Sequence, residues 1–495
     1  MTAQHEEWNS QLAFIMAMIG SAIGLGNIWR YPYVLYSNGG GAFLLPYFIS
    51  IVCMAVPYLF LEYAAGYNFK TSLPNMFRRV QSKFEVVGWF ISLAPFLILT
   101  YYIVIIAWDF IYFFLSFYHG WGSNPNLYFT DTLLHSTSSV SGLGDIILPI
   151  LGSLIVLWLI IWFISHKDLN DGIGKYSKVL IPSLMIIMAV VVLIAVTLPG
   201  ASIGYSALFN PKWYSICDPH IWLVAAGQII FSLSLGWGVV STYASYLPKG
   251  TSLVKNGIVV TIANCGFEFF TAIGVFSILG YMSFVQDVPL RYLVTEGTGL
   301  IFVAFPSIFN EMGVLSYIIG PLFFICVLFA GITTTLSLLE PITLGISNKF
   351  LIERKKVTTA LCVIGFLISI IFATGLGNTL LTIFDNFLSN FIVIFGIILE
   401  CLILGWLYNI DKLLDIVNTN APFKLGKWWN YLIKFIIPIV FFAMWADGII
   451  KLIADGSTVA IAVEALITII MIVVPVILTR KPPAPRNSKY NNEIA

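Results

Sequence analysis

The sequence predicts an all-α polytopic membrane protein, and three observations support this fold class. Hydrophobic residues make up 59% of the 495 residues, charged residues make up only 10%, and the mean hydropathy is +0.92. Soluble domains carry about 25% charged residues, so this chain lacks the composition of a water-soluble surface. Its apolar residues form runs of about 20, the length that an α-helix needs to cross about 30 Å of hydrocarbon. No segment shows the alternating pattern of a membrane β-barrel.

About twelve apolar segments are expected to cross the membrane. Of the connecting segments, residues 119–147 are rich in Ser, Gly, Asn and Thr and are predicted to form a long exposed loop. Residues 284–311 are predicted to form a loop with a short helix near residues 292–304. No cleavable signal peptide is expected, because residues 1–8 are polar and acidic. The predicted spans are residues 10–36, 42–66, 86–118, 148–165, 176–198, 221–246, 254–283, 312–347, 357–374, 378–408, 430–452 and 459–479.

The lysine and arginine residues predict the orientation, because cytoplasmic loops of membrane proteins carry an excess of them. All but four of the 25 lie on the side of the N-terminus, between even- and odd-numbered spans or near the C-terminus. The exceptions are Lys212, Arg291 and Lys451 on the opposite side and Arg30 within the first span. We therefore expect a multi-pass protein of the cell membrane with both termini in the cytoplasm.

Two other features of the composition exclude classes of function. The six cysteines are scattered without metal-ligand spacing, and the five histidines form no cluster. A net charge of +1 gives no indication of a nucleic-acid partner. No nucleophile and base occur in a recognisable arrangement, so an enzyme is not expected.

The first apolar segment is interrupted by residues 20–30, Gly-Ser-Ala-Ile-Gly-Leu-Gly-Asn-Ile-Trp-Arg. Each glycine costs a helix about 1 kcal/mol relative to alanine. Irregular backbone at membrane depth must be hydrogen-bonded or line a polar cavity, so this break predicts a ligand site. The alternative is a glycine-rich packing face between helices. That alternative does not account for the polar Asn27 and Arg30.

A second interruption, Phe-Ser-Leu-Ser-Leu-Gly-Trp-Gly at residues 231–238, falls in the sixth segment. Two broken helices at the first position of two five-helix halves indicate a 5+5 inverted-repeat transporter core with broken helices 1 and 6. The repeats would occupy residues 1–205 and 206–410. Residues 411–495 would add two helices and a cytoplasmic tail.

These residues resemble the neurotransmitter:sodium symporter family, in its prokaryotic amino-acid type. The resemblance extends over nearly the whole chain and implies symport of an amino acid or amine with sodium by alternating access. Its motifs are residues 20–30, Asn-Gly-Gly-Gly-Ala-Phe at 38–43, Pro-Tyr at 46–47, Tyr-Tyr at 101–102, residues 227–246, Asn264, and Ala-Gly-Ile-Thr-Thr at 330–334.

The resemblance implies two sodium sites built from oxygen atoms, the ligands that a hard cation prefers. The first would comprise the carbonyl of Ala22, the amide of Asn27, the carbonyl and hydroxyl of Ser232, the amide of Asn264 and the substrate carboxylate. The second would comprise carbonyls of Gly20, Ile23 and Ala330 and hydroxyls of Thr333 and Thr334. The alternative for both threonines is a hydrogen bond to their own helix.

The resemblance also implies a substrate site between the two breaks. Amides near Leu25 and Gly26 and the Tyr102 hydroxyl would bind a carboxylate, and carbonyls of Ala22, Phe231 and Ser234 would bind an ammonium group. Because the implied pocket contains no acidic residue, we expect a neutral, apolar or aromatic amino acid rather than a monoamine. Besides Ser232, which borders the first sodium site, its lining would be Ile98, Tyr102, Phe231, Ser234, Trp237, Thr334 and Leu338.

Two gates are implied at the ends of this pathway. Arg30 and Asp385 would form the outer gate, with Gln228 beside Arg30 and with Phe231 and Tyr102 as the lid; the alternative is a static buried ion pair.

At the inner end, many family members carry an Arg and an Asp where this chain has His5 and Asn348. Inner closure would therefore depend on Trp8, Tyr246 and packing, or on a contact of His5. We assign no transport role to the acidic residues Glu62, Asp109, Glu340, Glu400, Asp447 and Glu464.

Glu268 lies one helical turn after Asn264, where family members that need chloride carry a Ser. Its fixed negative charge would repel chloride, so we expect two sodium sites, no chloride, and proton uptake by Glu268 when the empty carrier returns. The alternative is a Glu that only hydrogen-bonds within the helix bundle.

Other functions fit the sequence less well. A channel would need a continuous polar pore. A proton-coupled amino-acid transporter of related architecture is the main alternative, and it would lack one or both sodium sites. The expected partners are a small amino acid, sodium ions and the lipid bilayer, with a homodimer possible and nucleic acid excluded.

Overall fold

The computed structural model describes residues 6–137, 139–294, 297–455 and 457–484. Within these residues the chain is helical and contains no β-strand, only a single bridge between Ile146 and Thr374. Ten helices are long and apolar enough to cross a membrane. Two further spans, the first and the sixth, consist of shorter helices separated by irregular backbone. The expected class of an all-α polytopic membrane protein is confirmed.

We number the spans in chain order. Span 1 comprises Gln11–Ala22, Leu25–Ile28 and Arg30–Ser37, and span 6 comprises Pro219–Ser232 and Val239–Ser245. The continuous spans are span 2, Gly40–Phe69; span 3, Ser82–Leu115; span 4, Leu148–Ser165; span 5, Asn170–Ala195; span 7, Leu253–Gln286; span 8, Gly313–Phe350; span 9, Arg354–Ala373; span 10, Gly377–Leu407; span 11, Trp428–Ile450; and span 12, Thr458–Arg480. Shorter helices outside the spans are Leu73–Val80, Ala201–Phe209, Leu300–Glu311 and Ile410–Val417.

Spans 3 and 8 form the centre of the bundle and pack against each other along much of their length. In the most apolar stretch of span 3, 89% of the residues are buried, whereas the value for span 12 is 17%. Span 12 therefore lies at the periphery, where its apolar side chains face lipid. The two broken spans contact the central pair, so their irregular segments lie in the interior.

Span 1 breaks because the backbone turns extended after Ala22. Ile23 has φ −77° and ψ 98°, and Gly24 has φ −124° and ψ −168°, so neither residue continues the helix. A Cβ atom on Gly24 would lie 3.1 Å from the Thr334 hydroxyl and 3.2 Å from the Tyr102 hydroxyl. The break thus brings bare backbone close to polar groups of spans 3 and 8.

Span 6 breaks at a run of residues with positive φ. Ser234, Gly236 and Gly238 have φ of 54°, 75° and 69°. Such a conformation costs a non-glycine residue about 1–2 kcal/mol. At Gly236 a Cβ atom would also lie 2.1 Å from Ile397 Cγ1, so both conformation and space require glycine there.

The expectation of a long exposed loop at residues 119–147 is wrong in part. This segment contains a helical turn at Tyr128–Leu133, and Trp121 and Phe129 are buried. The Trp121 ring stacks on Tyr112 of span 3 with ring centroids 5.8 Å apart. The polar composition of the segment gave no indication that these aromatic residues are buried.

The helix expected near residues 292–304 lies further along the chain, at Leu300–Glu311. Gly297 has φ 69°, which is not a helical dihedral, so the helix begins after it. Span 7 also continues to Gln286, further than the sequence indicated.

Candidate functional site

The two breaks meet in the interior of the bundle. The Ser234 hydroxyl in the break of span 6 donates a hydrogen bond of 2.8 Å to the carbonyl oxygen of Ser21 in span 1. The Leu25 amide, which begins the second part of span 1, donates to the Tyr102 hydroxyl at 3.2 Å. Backbone groups that a continuous helix would have paired internally are therefore turned toward spans 3 and 6.

Three side chains from spans 1, 6 and 7 form a buried polar cluster beside this junction. Asn27 Nδ2 lies 2.9 Å from Asn264 Oδ1 and 3.4 Å from Ser232 Oγ, and Asn264 Nδ2 lies 2.5 Å from Ser232 Oγ. Asn27 Oδ1 accepts a hydrogen bond from the Gly24 amide at 2.9 Å. Rotation of an amide by 180° exchanges its oxygen and nitrogen. The cluster can therefore offer neutral oxygen ligands to a small hard cation.

Span 8 faces the first part of span 1 with two threonines. The Thr334 hydroxyl lies 3.5 Å from the Gly20 carbonyl oxygen, so it reaches across to the other span. The Thr333 hydroxyl lies 3.0 Å from the carbonyl oxygens of both Phe329 and Ala330, so it donates within its own helix. Its lone pairs stay available to a cation in that arrangement.

Of the residues expected to line a substrate pocket, Tyr102 and Thr334 contact the broken span 1. Ile98 and Leu338 are buried, whereas Tyr102, Phe231 and Trp237 are partly exposed. The rings of Phe231 and Trp237 meet edge to face with centroids 6.2 Å apart. A Cβ atom on Gly26 would meet no atom within 4 Å, so there is open space beside its backbone. The expected lining is aromatic and aliphatic, with hydroxyls and backbone groups as its polar part.

The two residues expected at the outer gate both contact aromatic residues near this pocket. The guanidinium carbon of Arg30 lies 5.0 Å from the ring centre of Phe231. Asp385 is exposed, and Oδ1 accepts hydrogen bonds from Tyr101 at 2.7 Å and Ser389 at 3.2 Å. Gln228, expected beside Arg30, donates to Glu268 Oε1 at 3.0 Å.

Glu268 is completely buried in span 7, next to the cluster of Asn27, Ser232 and Asn264. The Tyr47 hydroxyl donates to its Oε2, and Gln228 donates to its Oε1. Two donors from spans 2 and 6 thus converge on one carboxylate.

The side of the molecule on which the N-terminus lies is closed. Trp8 is buried, its indole nitrogen donates to the Tyr243 carbonyl at 2.9 Å, and its amide donates to the Tyr246 carbonyl at 2.9 Å. The Tyr246 hydroxyl donates to Glu340 Oε1 at 2.7 Å, and Arg354 binds both oxygens of Glu340.

The N-terminal segment is also held at this closed side. Glu6 accepts a hydrogen bond from the Leu169 amide at 2.8 Å, and its burial raises the pKa of its carboxyl. His5 lies outside the described residues, and Asn348 Nδ2 bonds to the Thr71 hydroxyl at 3.4 Å.

Two acidic residues to which the sequence analysis gave no role contact the broken span 6 and the closed side. Glu62 of span 2 accepts the Gly236 amide in the break of span 6 at 3.3 Å, and Glu340 joins Tyr246 to Arg354. Their presence as acids at membrane depth was the available signal. Their partners were not readable, because Glu62 and Gly236 lie 174 residues apart in the chain.

Known proteins resemble this chain over most of its length. The profile of the sodium:neurotransmitter symporter family matches residues 5–128 and 118–479. An uncharacterized sodium-dependent transporter of Methanocaldococcus jannaschii is 39% identical over 481 residues, which cover 96% of this chain and 98% of that protein. The sodium- and chloride-dependent GABA transporter 2 of Mus musculus is 28% identical over 493 residues, covering 91% of this chain and 81% of that protein. The protein of the same name in Homo sapiens is 27% identical over the same shares of both chains.

Proposed function

The chain belongs to the sodium:neurotransmitter symporter family, as its sequence indicated, and we propose that it imports a neutral, apolar or aromatic amino acid together with sodium. A sodium-dependent symporter with a small-molecule substrate is a transporter and not an enzyme. The proposal adds the substrate class, two sodium sites, a 5+5 inverted repeat and independence from chloride. It also places the protein in the cell membrane with both termini in the cytoplasm.

The proposal rests on one observation: the two breaks meet in the interior of the bundle, beside polar groups of two different kinds. The Tyr102 hydroxyl and backbone amides near Leu25 suit a carboxylate, while the carbonyl oxygens of Ala22, Phe231 and Ser234 would suit an ammonium group. Between them the lining is apolar and aromatic, so the side chain of the substrate meets no charge. An amino acid with a neutral side chain satisfies all three regions.

Sodium is expected to bind with the substrate because they share one shell of ligands. The polar cluster of Asn27, Ser232 and Asn264 borders the place where the substrate carboxylate would lie. Each bound species then completes the site of the other, which couples their affinities reciprocally. Thr333 and Thr334 would hold the second sodium against the carbonyl oxygens of span 1.

The burial of the two ends fits alternating access. Trp8, Tyr243 and Tyr246 seal the side of the N-terminus, whereas Asp385 is exposed and Phe231 is partly exposed on the other. In this arrangement the substrate site would be reached from the side opposite the termini. Closure of Phe231 and Tyr102, followed by Arg30 and Asp385, would precede opening toward the N-terminal side.

Chloride independence is supported by Glu268, which already supplies a negative charge to the donors Tyr47 and Gln228. The relatives from Mus musculus and Homo sapiens are named as sodium- and chloride-dependent transporters. This chain would differ from them in needing no chloride. A proton-coupled transporter would lack part of one sodium site, and the presence in the chain of the residues expected at both sites supports coupling to sodium.

Counterflow in proteoliposomes tests the substrate class. Vesicles loaded with each of a panel of amino acids and amines are diluted into labelled leucine or tryptophan, with sodium or with choline. We expect exchange only with neutral apolar or aromatic amino acids and only in sodium. Exchange with a monoamine or with a charged amino acid, or equal exchange in choline, would contradict the proposal.

A further inference from the structure

A cavity of about 520 Å³ lies where the helix Leu73–Val80, the end of span 8 and the chain after span 12 come together. We call it the basic pocket. Three of its lining residues are cations, and none is an acid. The lining consists of Asn75, Arg78, Arg79, Asn348, Lys349, Leu351, Pro483 and Ala484.

Among the described residues, two cations of the basic pocket are paired with the same carboxylate. Lys349 Nζ lies 2.5 Å from Glu85 Oε1, and Arg78 Nη1 lies 3.7 Å from Glu85 Oε2, so two cations share one carboxylate. Lys349 completes its shell with carbonyl oxygens of span 12, Leu478 at 2.5 Å and Thr479 at 3.1 Å. These carbonyl groups are neutral, so a positive charge remains beside the cavity. An anion would offset it.

The arginines are placed to bind such an anion. The side chain of Arg78 is 41% exposed, and Arg79 Nη1 donates to the Phe69 carbonyl at 2.9 Å. Guanidinium groups match the oxygens of a phosphate group in geometry and carry their charge at every physiological pH. The amide side chains of Asn75 and Asn348 add neutral donors to the same lining.

The position of the basic pocket favours a lipid as the source of that phosphate. Span 12 is peripheral, and Ile469, Ile472 and Ile477 are each about half exposed on its surface. The basic pocket lies at Pro483 and Ala484, just after this apolar helix ends at Arg480, so it would lie at the level of the lipid headgroups. Positively charged pockets at this level attract anionic headgroups.

We propose that the basic pocket binds the phosphate headgroup of an anionic membrane lipid. Its acyl chains would lie along span 12, and its phosphate would meet Arg78 and Arg79 above the pair of Lys349 and Glu85. An occupied pocket would tie the end of span 8 to the end of span 12. This site is separate from the pocket between the two breaks and does not depend on the transported substrate.

The test titrates purified protein in a neutral detergent with short-chain lipids and follows the unfolding temperature. Dioctanoylphosphatidylglycerol is expected to raise it saturably, whereas dioctanoylphosphatidylcholine and inorganic phosphate at equal concentration are not. Equal effects of the two lipids would show that the negative charge is not recognised. An equal effect of inorganic phosphate would show a free-anion site. Either result overturns the proposal.

Two variants and a control locate the binding. Arg78→Gln and Arg79→Gln are each expected to raise the apparent Kd for the anionic lipid about tenfold. Because Lys349 keeps Glu85 as its partner in both variants, we expect folded, monodisperse protein. Lys412→Gln removes an exposed cation from the helix Ile410–Val417 and is expected to leave the Kd unchanged. Parental Kd values for both arginine variants, or an equal loss in the control, would place the lipid elsewhere.

Discussion

Replacement of Asn27 by alanine tests the coupling between sodium and substrate. In the structure Asn27 Nδ2 donates a hydrogen bond to Asn264 Oδ1 at 2.9 Å. Asn27 Oδ1 accepts a hydrogen bond from the Gly24 amide at 2.9 Å. Asn27→Ala removes one of the oxygen ligands that the proposed first sodium site needs. It also frees the amide of Gly24 at the break of span 1. Both sodium and the substrate carboxylate lose part of their shared shell.

The size of the effect follows from the kind of interaction lost. A hydrogen bond to a charged group contributes about 1.5–3 kcal/mol, and we expect the amide ligand of a cation to fall in this range. That loss corresponds to an affinity for sodium that is about 10- to 150-fold weaker. By reciprocity, the substrate affinity at a fixed subsaturating sodium concentration falls by a similar factor.

Equilibrium binding of labelled substrate at several sodium concentrations measures both affinities. Asn68→Ala is the matched control, because it also removes a single amide hydrogen bond, to the Tyr408 hydroxyl at 2.9 Å, far from the breaks. We expect parental sodium dependence in the control. If Asn27→Ala binds substrate with parental affinity and parental sodium dependence, the first sodium site is assigned wrongly.

Three further predictions concern the second sodium, the gate and chloride. Thr334→Ala should raise the sodium concentration needed for half-maximal uptake about tenfold, whereas Thr335→Ala, which removes a hydroxyl bonded within its own helix, should not; equal values would remove Thr334 from the site. Arg30→Ala and Asp385→Ala should each impair uptake more than substrate binding, because closure follows occupancy, and parental uptake by either would contradict the gate. Uptake should be unchanged when gluconate replaces chloride, and Glu268→Ser should gain stimulation by chloride; a parent that stops without chloride would refute this reasoning.

The sequence predicted the two breaks because their cause is local. Glycine readily leaves helical dihedrals, so runs of glycines and small hydroxylic residues interrupt a helix. In span 6 the interruption occurs where Gly236 and Gly238 have positive φ. The spacing of Thr333 and Thr334 likewise placed both on the face of span 8 that meets span 1. Such features depend on a few neighbouring residues, so they can be recognised in the chain alone.

Contacts between distant segments were not predictable in the same way. Glu340 and Arg354 form a buried ion pair that the Tyr246 hydroxyl joins, at the end where the sequence indicated Trp8, Tyr246 and packing, or a contact of His5. Gln228 donates to Glu268, a contact between spans 6 and 7 that the sequence did not indicate. The side-chain partners of buried polar groups depend on how whole helices pack, which periodicity does not encode.

The central claim is that sodium and a neutral amino acid cross the membrane together, and the entry of radioactive sodium into proteoliposomes tests it most directly. We predict that adding a neutral apolar or aromatic amino acid outside stimulates sodium entry, and that Asn27→Ala and Thr334→Ala each reduce this stimulation at low sodium. Substrate entry that proceeds without sodium entry, driven instead by an imposed proton gradient, would contradict the account.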